Sequence, residues 1–145
     1  MRCNSLIILT LGASFLFFAA PAGLAQEVAP GANEPGEHVF VAEGDIEYAP
    51  IDVPGFDPGM RIAAVHGDPA GTSDYIIRLA FPDGYRFPSH WHPKAEHVTV
   101  LEGTFLLAMD TGGEAAEPES YGPGDFLYIP GEHPHYGGAE GETVI

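Results

Sequence analysis

Turn-forming residues recur so often along this chain that only short extended segments fit between them. The 145 residues include 19 glycines and 14 prolines, in turn signals such as Pro82-Asp83-Gly84. The runs between these signals are rich in β-branched and aromatic residues, and none beyond residue 25 has a helical period of useful length. Short strands with frequent turns are typical of an antiparallel sandwich or barrel, so we predict an all-β fold. The predicted strands are 39–42, 60–65, 75–81, 97–101, 104–109, 125–129 and 143–145.

The first 25 residues differ in kind from the rest. Arg2 precedes an apolar run, which Pro21 ends before the small residues Gly23 and Ala25. This order is typical of a secretory signal peptide, whereas a retained membrane anchor would need a longer apolar run. We therefore expect a signal peptide at 1–25, a linker rich in Pro, Gly and Glu at 26–38, and one domain at 39–145. The protein is then secreted or periplasmic and has no membrane association after cleavage.

Charge and cysteine content narrow the possible chemistry. Five Lys plus Arg against 21 Asp plus Glu give a formal charge of −16, which argues against nucleic acid or an anionic membrane as the partner. The single cysteine, Cys3, is lost with the signal peptide, so the mature chain is expected to have neither disulfides nor a thiol nucleophile. Catalysis would have to come from His, carboxylate or Tyr side chains or from a metal ion.

The best candidate for a metal site begins at His90-Trp91-His92. In an extended segment the two histidines leave the same face, and Pro93 ends the segment so that Glu96 can return at the head of the next strand. The fourth ligand would come from the turn that contains His133 and His135, and the residues alone leave both open. Three neutral imidazoles and a carboxylate would leave a divalent ion with one net positive charge. Such a set suits Fe, Mn, Co, Ni, Cu or Zn, and an octahedral ion keeps two positions free.

Neighbouring residues are expected to stay outside this site. His97 follows Glu96 and should point to the opposite face, as should Trp91 between the two histidines. His38 and His66 are interpreted as ordinary surface or core histidines. Four apolar residues on the 104–109 and 125–129 strands are expected to form either a pocket wall or plain core, and the sequence favours both equally. They are Phe105, Leu107, Phe126 and Tyr128.

Two motifs resemble the signatures of the cupin superfamily. The pattern G-x5-H-x-H-x3-E-x6-G is matched in full by Gly84, His90, His92, Glu96 and Gly103. The second pattern, G-x5-P-x-G-x2-H-x3-N, is matched by Gly124, Pro130 and His135, with Glu132 in place of its glycine and Ala139 in place of its Asn.

The resemblance implies a small jelly-roll β-barrel, often dimeric, with a metal in the barrel mouth. Spacing from Pro130 favours His135 as the fourth ligand, which gives the predicted set His90, His92, Glu96 and His135. The 143–145 strand either closes the barrel as it stands or begins a group of last strands that this sequence lacks.

Several functions fit such a site. Open positions on the ion would let dioxygen and a small organic molecule bind together, so the first hypothesis is a mononuclear, dioxygenase-like oxidoreductase. The alternatives are a non-catalytic cupin that binds a metal or small ligand, and a metal-stabilised fold that serves a protein partner. The acidic charge favours a neutral or weakly acidic substrate, and Arg86, if turned inward, could pair with a carboxylate.

Overall fold

The computed structural model describes residues 38–145, which are almost entirely strands and turns. Within this range a single turn of 3-10 helix at Glu43–Asp45 precedes nine strands. The strands are β1 Ala49–Pro50, β2 Arg61–His66, β3 Ile76–Phe81, β4 Arg86–His90, β5 Glu96–Thr99, β6 Glu102–Met109, β7 Glu119–Tyr121, β8 Phe126–Ile129 and β9 His135–Val144. All their pairings are antiparallel, so the predicted all-β antiparallel fold is confirmed.

Strand β9 holds the larger sheet together. The order is β1-β2-β3-β9-β6-β7, and β4 also pairs with β9 beyond the end of β3. One end of β9 therefore pairs with β4, the other with β3, and most of its length with β6. Strands β5 and β8 form a separate two-stranded sheet.

The core lies between these sheets and is rich in aromatic rings. The ring centroid of Phe81 lies 5.1 Å from that of Tyr85 and 6.1 Å from that of Phe105, and Phe87 lies 6.1 Å from Phe105. All four rings are buried, and Val100 and Ala139 are fully so. Burying one such side chain contributes about 1.5–3 kcal/mol, so this cluster is a main source of the stability that fixes β4 and β6.

Close packing of neighbouring strands explains why β9 has a weak strand signal in the sequence. A Cβ atom at Gly137 would collide with the carbonyl oxygen of Leu106, and one at Gly138 would collide with that of Tyr85. Glycine is required for this approach, yet glycine lowers the strand signal of a sequence. The sequence predicts a strand only at 143–145, and the first two of these residues are the end of a strand that begins at His135.

Other strand predictions differ from the structure in detail. Six of the predicted strands overlap β2, β3, β5, β6, β8 and β9. The ends of the first five differ from the prediction by one or two residues at most, whereas β9 begins eight residues earlier than predicted. The predicted strand at 39–42 is wrong, because this apolar segment pairs with no other strand and leaves Phe40 82% exposed. Strand β4 was expected only as an extended segment, and β1 and β7 are too short to carry a sequence signal.

The predicted signal peptide at 1–25, and all but His38 of the predicted linker, lie outside the described residues. The division into these segments stays a prediction. Within residues 38–145, no helix has the length and apolar character needed to span a bilayer.

Candidate metal centre

Strand pairing brings the candidate ligands together. His90, the last residue of β4, pairs directly with His135, the first residue of β9, and directly opposed residues project from the same face of a sheet. Glu96 is the first residue of β5 and is paired with the buried Ile129, so its carboxylate faces inward. His92 lies in the connection between β4 and β5, where its carbonyl accepts a 2.7 Å hydrogen bond from the Glu132 amide.

The four side chains form one cluster. The ring centroid of His90 lies 4.4 Å from that of His135 and 4.9 Å from that of His92. One ligand atom from each of these three rings lies within 4.8 Å of the others. The Glu96 carboxylate places Oε1 3.2 Å from Nε2 of His92 and Oε2 3.5 Å from Nε2 of His135, so it joins two of the rings.

Main-chain carbonyls fix the orientation and the tautomer of two of the rings. Nδ1 of His90 lies 3.0 Å from the Pro88 carbonyl oxygen, and Nδ1 of His135 lies 2.9 Å from that of His133. A carbonyl oxygen can only accept, so each Nδ1 carries the hydrogen and donates it. In a neutral imidazole this leaves a lone pair on Nε2, which is the arrangement of a metal-ligating histidine with a partner behind it.

A cation fits this donor set. Nε2 of His135 carries a lone pair when the ring is neutral, yet it faces the Glu96 carboxylate at 3.5 Å. Two acceptors at this separation repel each other unless a proton or a cation lies between them. Three imidazoles and one carboxylate are ligands that mononuclear divalent transition metals accept.

Burial also favours the neutral form of one ring. The pKa of His90 is lowered from its usual 6.5, chiefly because its surroundings disfavour the charged form. Repulsion from His135 and His92 acts in the same direction, while the Pro88 carbonyl and Glu96 oppose it. A neutral ring is the form that ligates a metal.

A family comparison agrees with the two motifs and the fold. Residues 78–145, which carry all four candidate ligands, match the family described as the cupin domain.

Residues 78–145 are a cupin domain.

Known proteins similar to this chain have varied activities. It is 34% identical over 61 residues to the dimethylsulfoniopropionate lyase DddQ of Ruegeria pomeroyi, a match that covers 42% of this chain and 27% of that protein. The match therefore spans about a quarter of the relative's length.

Solved structures share the fold. The polyketide cyclase RemF of Streptomyces resistomycificus has a TM-score of 0.60 at 21% identity over 74% of each chain. A putative acetylacetone dioxygenase of Methylibium petroleiphilum has a TM-score of 0.59 at 16% identity, with 77% of this chain and 76% of that chain covered.

The remaining histidines of the cupin domain lie apart from this cluster. His133 is exposed, and its Nδ1 atom lies 2.9 Å from the Gly131 carbonyl oxygen. His97 is exposed on the outer face of β5, as expected from strand alternation. The structure thus brings His135, and not His133, next to His90 and His92; the assignment of His135 as fourth ligand stays a prediction.

Two aromatic residues expected as pocket wall or core lie instead on the outer face of β8. Phe126 and Tyr128 are 61% and 58% exposed, and their ring centroids lie 6.0 and 5.3 Å from that of His97. They are neither pocket wall nor core, because the inward positions of β8 are Leu127 and Ile129. Phe105 and Leu107, the other two candidates, are buried in the core.

One residue near His90 carried no signal in the sequence. Phe56 lies in the loop before β2, and its ring meets that of His90 edge-on at a centroid distance of 4.9 Å. Two hydrogen bonds hold the loop, since the Asp57 amide donates to the Arg86 carbonyl and the Arg86 amide donates to the Asp57 carboxylate. The loop is distant in sequence from both motifs, so only the tertiary structure shows this contact.

Arg86 has a structural role. Its Nη1 atom donates to the carbonyls of Tyr85 and Ala139, at 2.8 and 3.0 Å. The guanidinium thus joins β4 to β9, and the expectation that it could turn inward toward a substrate carboxylate is not met in this structure.

A groove of about 770 Å³ lies between β3 and β5. Its walls are largely apolar and include Ile77, Leu79, Val98 and Ile145, and Lys94 and Glu96 also line it. The groove therefore offers an apolar space that borders one of the candidate ligands.

Proposed function

We propose that this chain is an exported, mononuclear metal-dependent oxidoreductase of dioxygenase type that acts on a small organic molecule. The proposed ligands are His90, His92, Glu96 and His135. The observation that carries the proposal is the approach of the Glu96 carboxylate to Nε2 of His135, whose Nδ1 hydrogen is already donated to a carbonyl. A divalent cation between these acceptors would turn their repulsion into attraction.

The roles of the residues follow from their contacts. A bound divalent transition metal would supply Lewis acidity and, when six-coordinate, two positions beyond the four protein ligands. The carbonyls of Pro88 and His133 keep Nε2 of His90 and His135 available, and Glu96 contributes the negative charge. The rings of Phe56 and Phe87 pack edge-on against His90 and exclude water from that side.

The groove supports a small, largely apolar substrate. Its volume of about 770 Å³ lies within the range of ordinary small-molecule sites, about 300–1,000 Å³. A formal charge of −16 repels anions at long range, so a neutral or weakly acidic molecule is favoured. The fold shared with a putative acetylacetone dioxygenase makes β-diketones, together with phenols, the first compounds to assay.

A lyase is the second candidate, favoured by the 34% identity with dimethylsulfoniopropionate lyase DddQ over 61 residues. Such a reaction would use the same site without dioxygen. The other alternative is a cupin that binds a metal or a small ligand without chemistry.

Oxygen uptake and product release separate these functions. The full chain, loaded in turn with Fe, Mn, Ni, Cu and Zn, would be assayed for oxygen uptake with acetylacetone and phenols. The same samples would be assayed under argon for dimethyl sulfide release from dimethylsulfoniopropionate. Glu96→Gln is the test variant, and Glu102→Gln, at an exposed position of β6, is its matched control.

Each result supports one candidate. Substrate-dependent oxygen uptake that is lost in Glu96→Gln and retained in Glu102→Gln supports the oxidoreductase. Release of dimethyl sulfide under argon supports the lyase. Bound metal without turnover in any assay supports the non-catalytic alternative, and a protein that binds none of the metals refutes the metal site itself.

A further inference from the structure

Asp110, which neither cupin motif includes, contacts both histidine-bearing segments. Its Oδ2 atom accepts a 2.5 Å hydrogen bond from Oγ of Ser89, the residue before His90. Its amide donates a 2.8 Å hydrogen bond to the carbonyl of Pro134, the residue before His135. One residue therefore touches the immediate neighbours of two candidate ligands.

The strand register explains this position. Asp110 follows the last residue of β6, and that residue, Met109, pairs with His135 of β9. His135 pairs in turn with His90 of β4, so β9 lies between β6 and β4 at this point. The hydrogen bond from the Ser89 side chain to Asp110 therefore spans β9 and links β4 directly to the end of β6.

The carboxylate is well suited to this link. A hydroxyl that donates to an ionised oxygen makes a short, charge-assisted hydrogen bond, about twice as strong as a neutral one. The second oxygen, Oδ1, accepts a 2.9 Å hydrogen bond from the Gly112 amide, so the side chain is held from both sides. The Ser89 hydroxyl and the Gly112 amide together lower the pKa of Asp110, which keeps the carboxylate charged.

The Ser89–Asp110 hydrogen bond supports the end of β4, where His90 lies. The ring centroids of His90 and His135 lie 4.4 Å apart on neighbouring strands, and β4 has a register irregularity between Phe87 and His90. An irregular ladder leaves the end of β4 with less main-chain support. A side-chain link at Ser89 supplies support one residue from the ligand.

We propose that Asp110 is a positioning residue for the metal centre, which holds His90 and His135 at the separation that metal binding needs. The inference rests on the proposed metal site. Asp110 does not contact the metal; it acts through Ser89 and through the Pro134 carbonyl.

Cobalt(II) binding to the full chain tests this role, with affinity measured by chelator competition and geometry by the visible spectrum. The variants are Asp110→Asn, Ser89→Ala, their combination, and Ser89→Thr, which keeps the hydroxyl. Asp125→Asn is the matched control, because the Asp125 carboxylate also accepts an amide hydrogen bond in a turn, from Gly122 at 2.8 Å. Asp125 precedes β8 at the end away from the Glu96–Ile129 pair.

Loss of the link should weaken cobalt binding about tenfold in Asp110→Asn and in Ser89→Ala, the low end for residues that support metal ligands. Asp110→Asn removes the charge from the Ser89–Asp110 hydrogen bond, and Ser89→Ala removes its donor. Because both variants act on the same hydrogen bond, the double variant should lose little more than either. Their visible spectra should change as well, whereas Ser89→Thr and Asp125→Asn should resemble the wild type.

Two results would overturn the inference, and they are distinct. Wild-type affinity and spectrum in Asp110→Asn and Ser89→Ala would remove the positioning role and leave the metal site standing. A wild-type chain that binds no cobalt would refute the proposed function and, with it, this inference. Ser89→Ala alters only an exposed side chain, so the test does not depend on the folding of Asp110→Asn.

Discussion

Nε2 of His92 lies 3.2 Å from Oε1 of Glu96, across the turn that joins β4 to β5. The two residues are only four apart in the sequence, yet His92 follows β4 of the larger sheet and Glu96 begins β5 of the two-stranded sheet. Pro93 interrupts the extended chain between them, and Glu96 begins the next strand. The local sequence therefore produces this contact, which brings the glutamate named in the first motif to the histidines.

Replacement of His133 and replacement of His135 should have different effects on metal binding. His133→Ala should leave the metal content unchanged, because His133 is exposed and its ring is held by the Gly131 carbonyl. His135→Ala should lower the metal content severely, because the buried ring next to His90 and Glu96 is lost. Metal analysis of both purified variants checks this prediction. The reverse order of effects would assign the fourth ligand to His133.

Glu132→Gly should stabilise the protein. Glu132 has φ of 61°, a left-handed conformation that costs a non-glycine residue about 1–2 kcal/mol. Glycine removes that strain but adds about 0.5–1 kcal/mol of conformational entropy to the unfolded chain, so the net gain is between about 0 and 1.5 kcal/mol. Urea unfolding measures it.

Glu132→Val provides the opposite control for this turn, because a β-branched residue tolerates positive φ poorly and should destabilise the protein. Loss of stability in Glu132→Gly would show that the Glu132 side chain contributes more than its backbone strain costs.

The metal-free protein should lose stability as the pH falls below 6.5. The pKa of His90 is lowered by burial, so the unfolded chain binds a proton more readily than the folded chain does. The free energy of unfolding then decreases from the unfolded pKa of 6.5 down to the lower pKa of the folded state, and this contribution levels off below it.

Urea midpoints measured with a chelator between about pH 8 and pH 5 test the slope, since histidine is the only side chain with an ordinary pKa in this interval. His90→Ala should show a shallower decrease than the wild type. An equal decrease in both proteins would show that His90 is not the group responsible.

Local patterns predicted much of the cupin domain, and contacts between distant segments account for the rest. Alternation placed His97 outside, and the Pro93 break placed Glu96 at the head of β5. By contrast, only the last two residues of β9 were predicted, because its glycines are required by the approach of Leu106 and Tyr85, which no single segment reveals.

The same distinction applies at the candidate site. The two motifs contain the four candidate ligands, whereas Phe56 and Asp110 come from a loop and a strand end that approach only in the folded chain. Glu132 is an intermediate case. It departs from the motif by replacing a glycine, and the positive φ found there explains why glycine is usual.

Metal content is the most direct test of the central claim that these side chains form a metal centre. The full chain would be expressed with export, purified without chelator and analysed by plasma mass spectrometry beside a His90→Ala/His92→Ala double variant. The wild type should contain close to one transition metal ion per chain, and the variant almost none. Equal metal content in both proteins, or none in either after reloading, would contradict it.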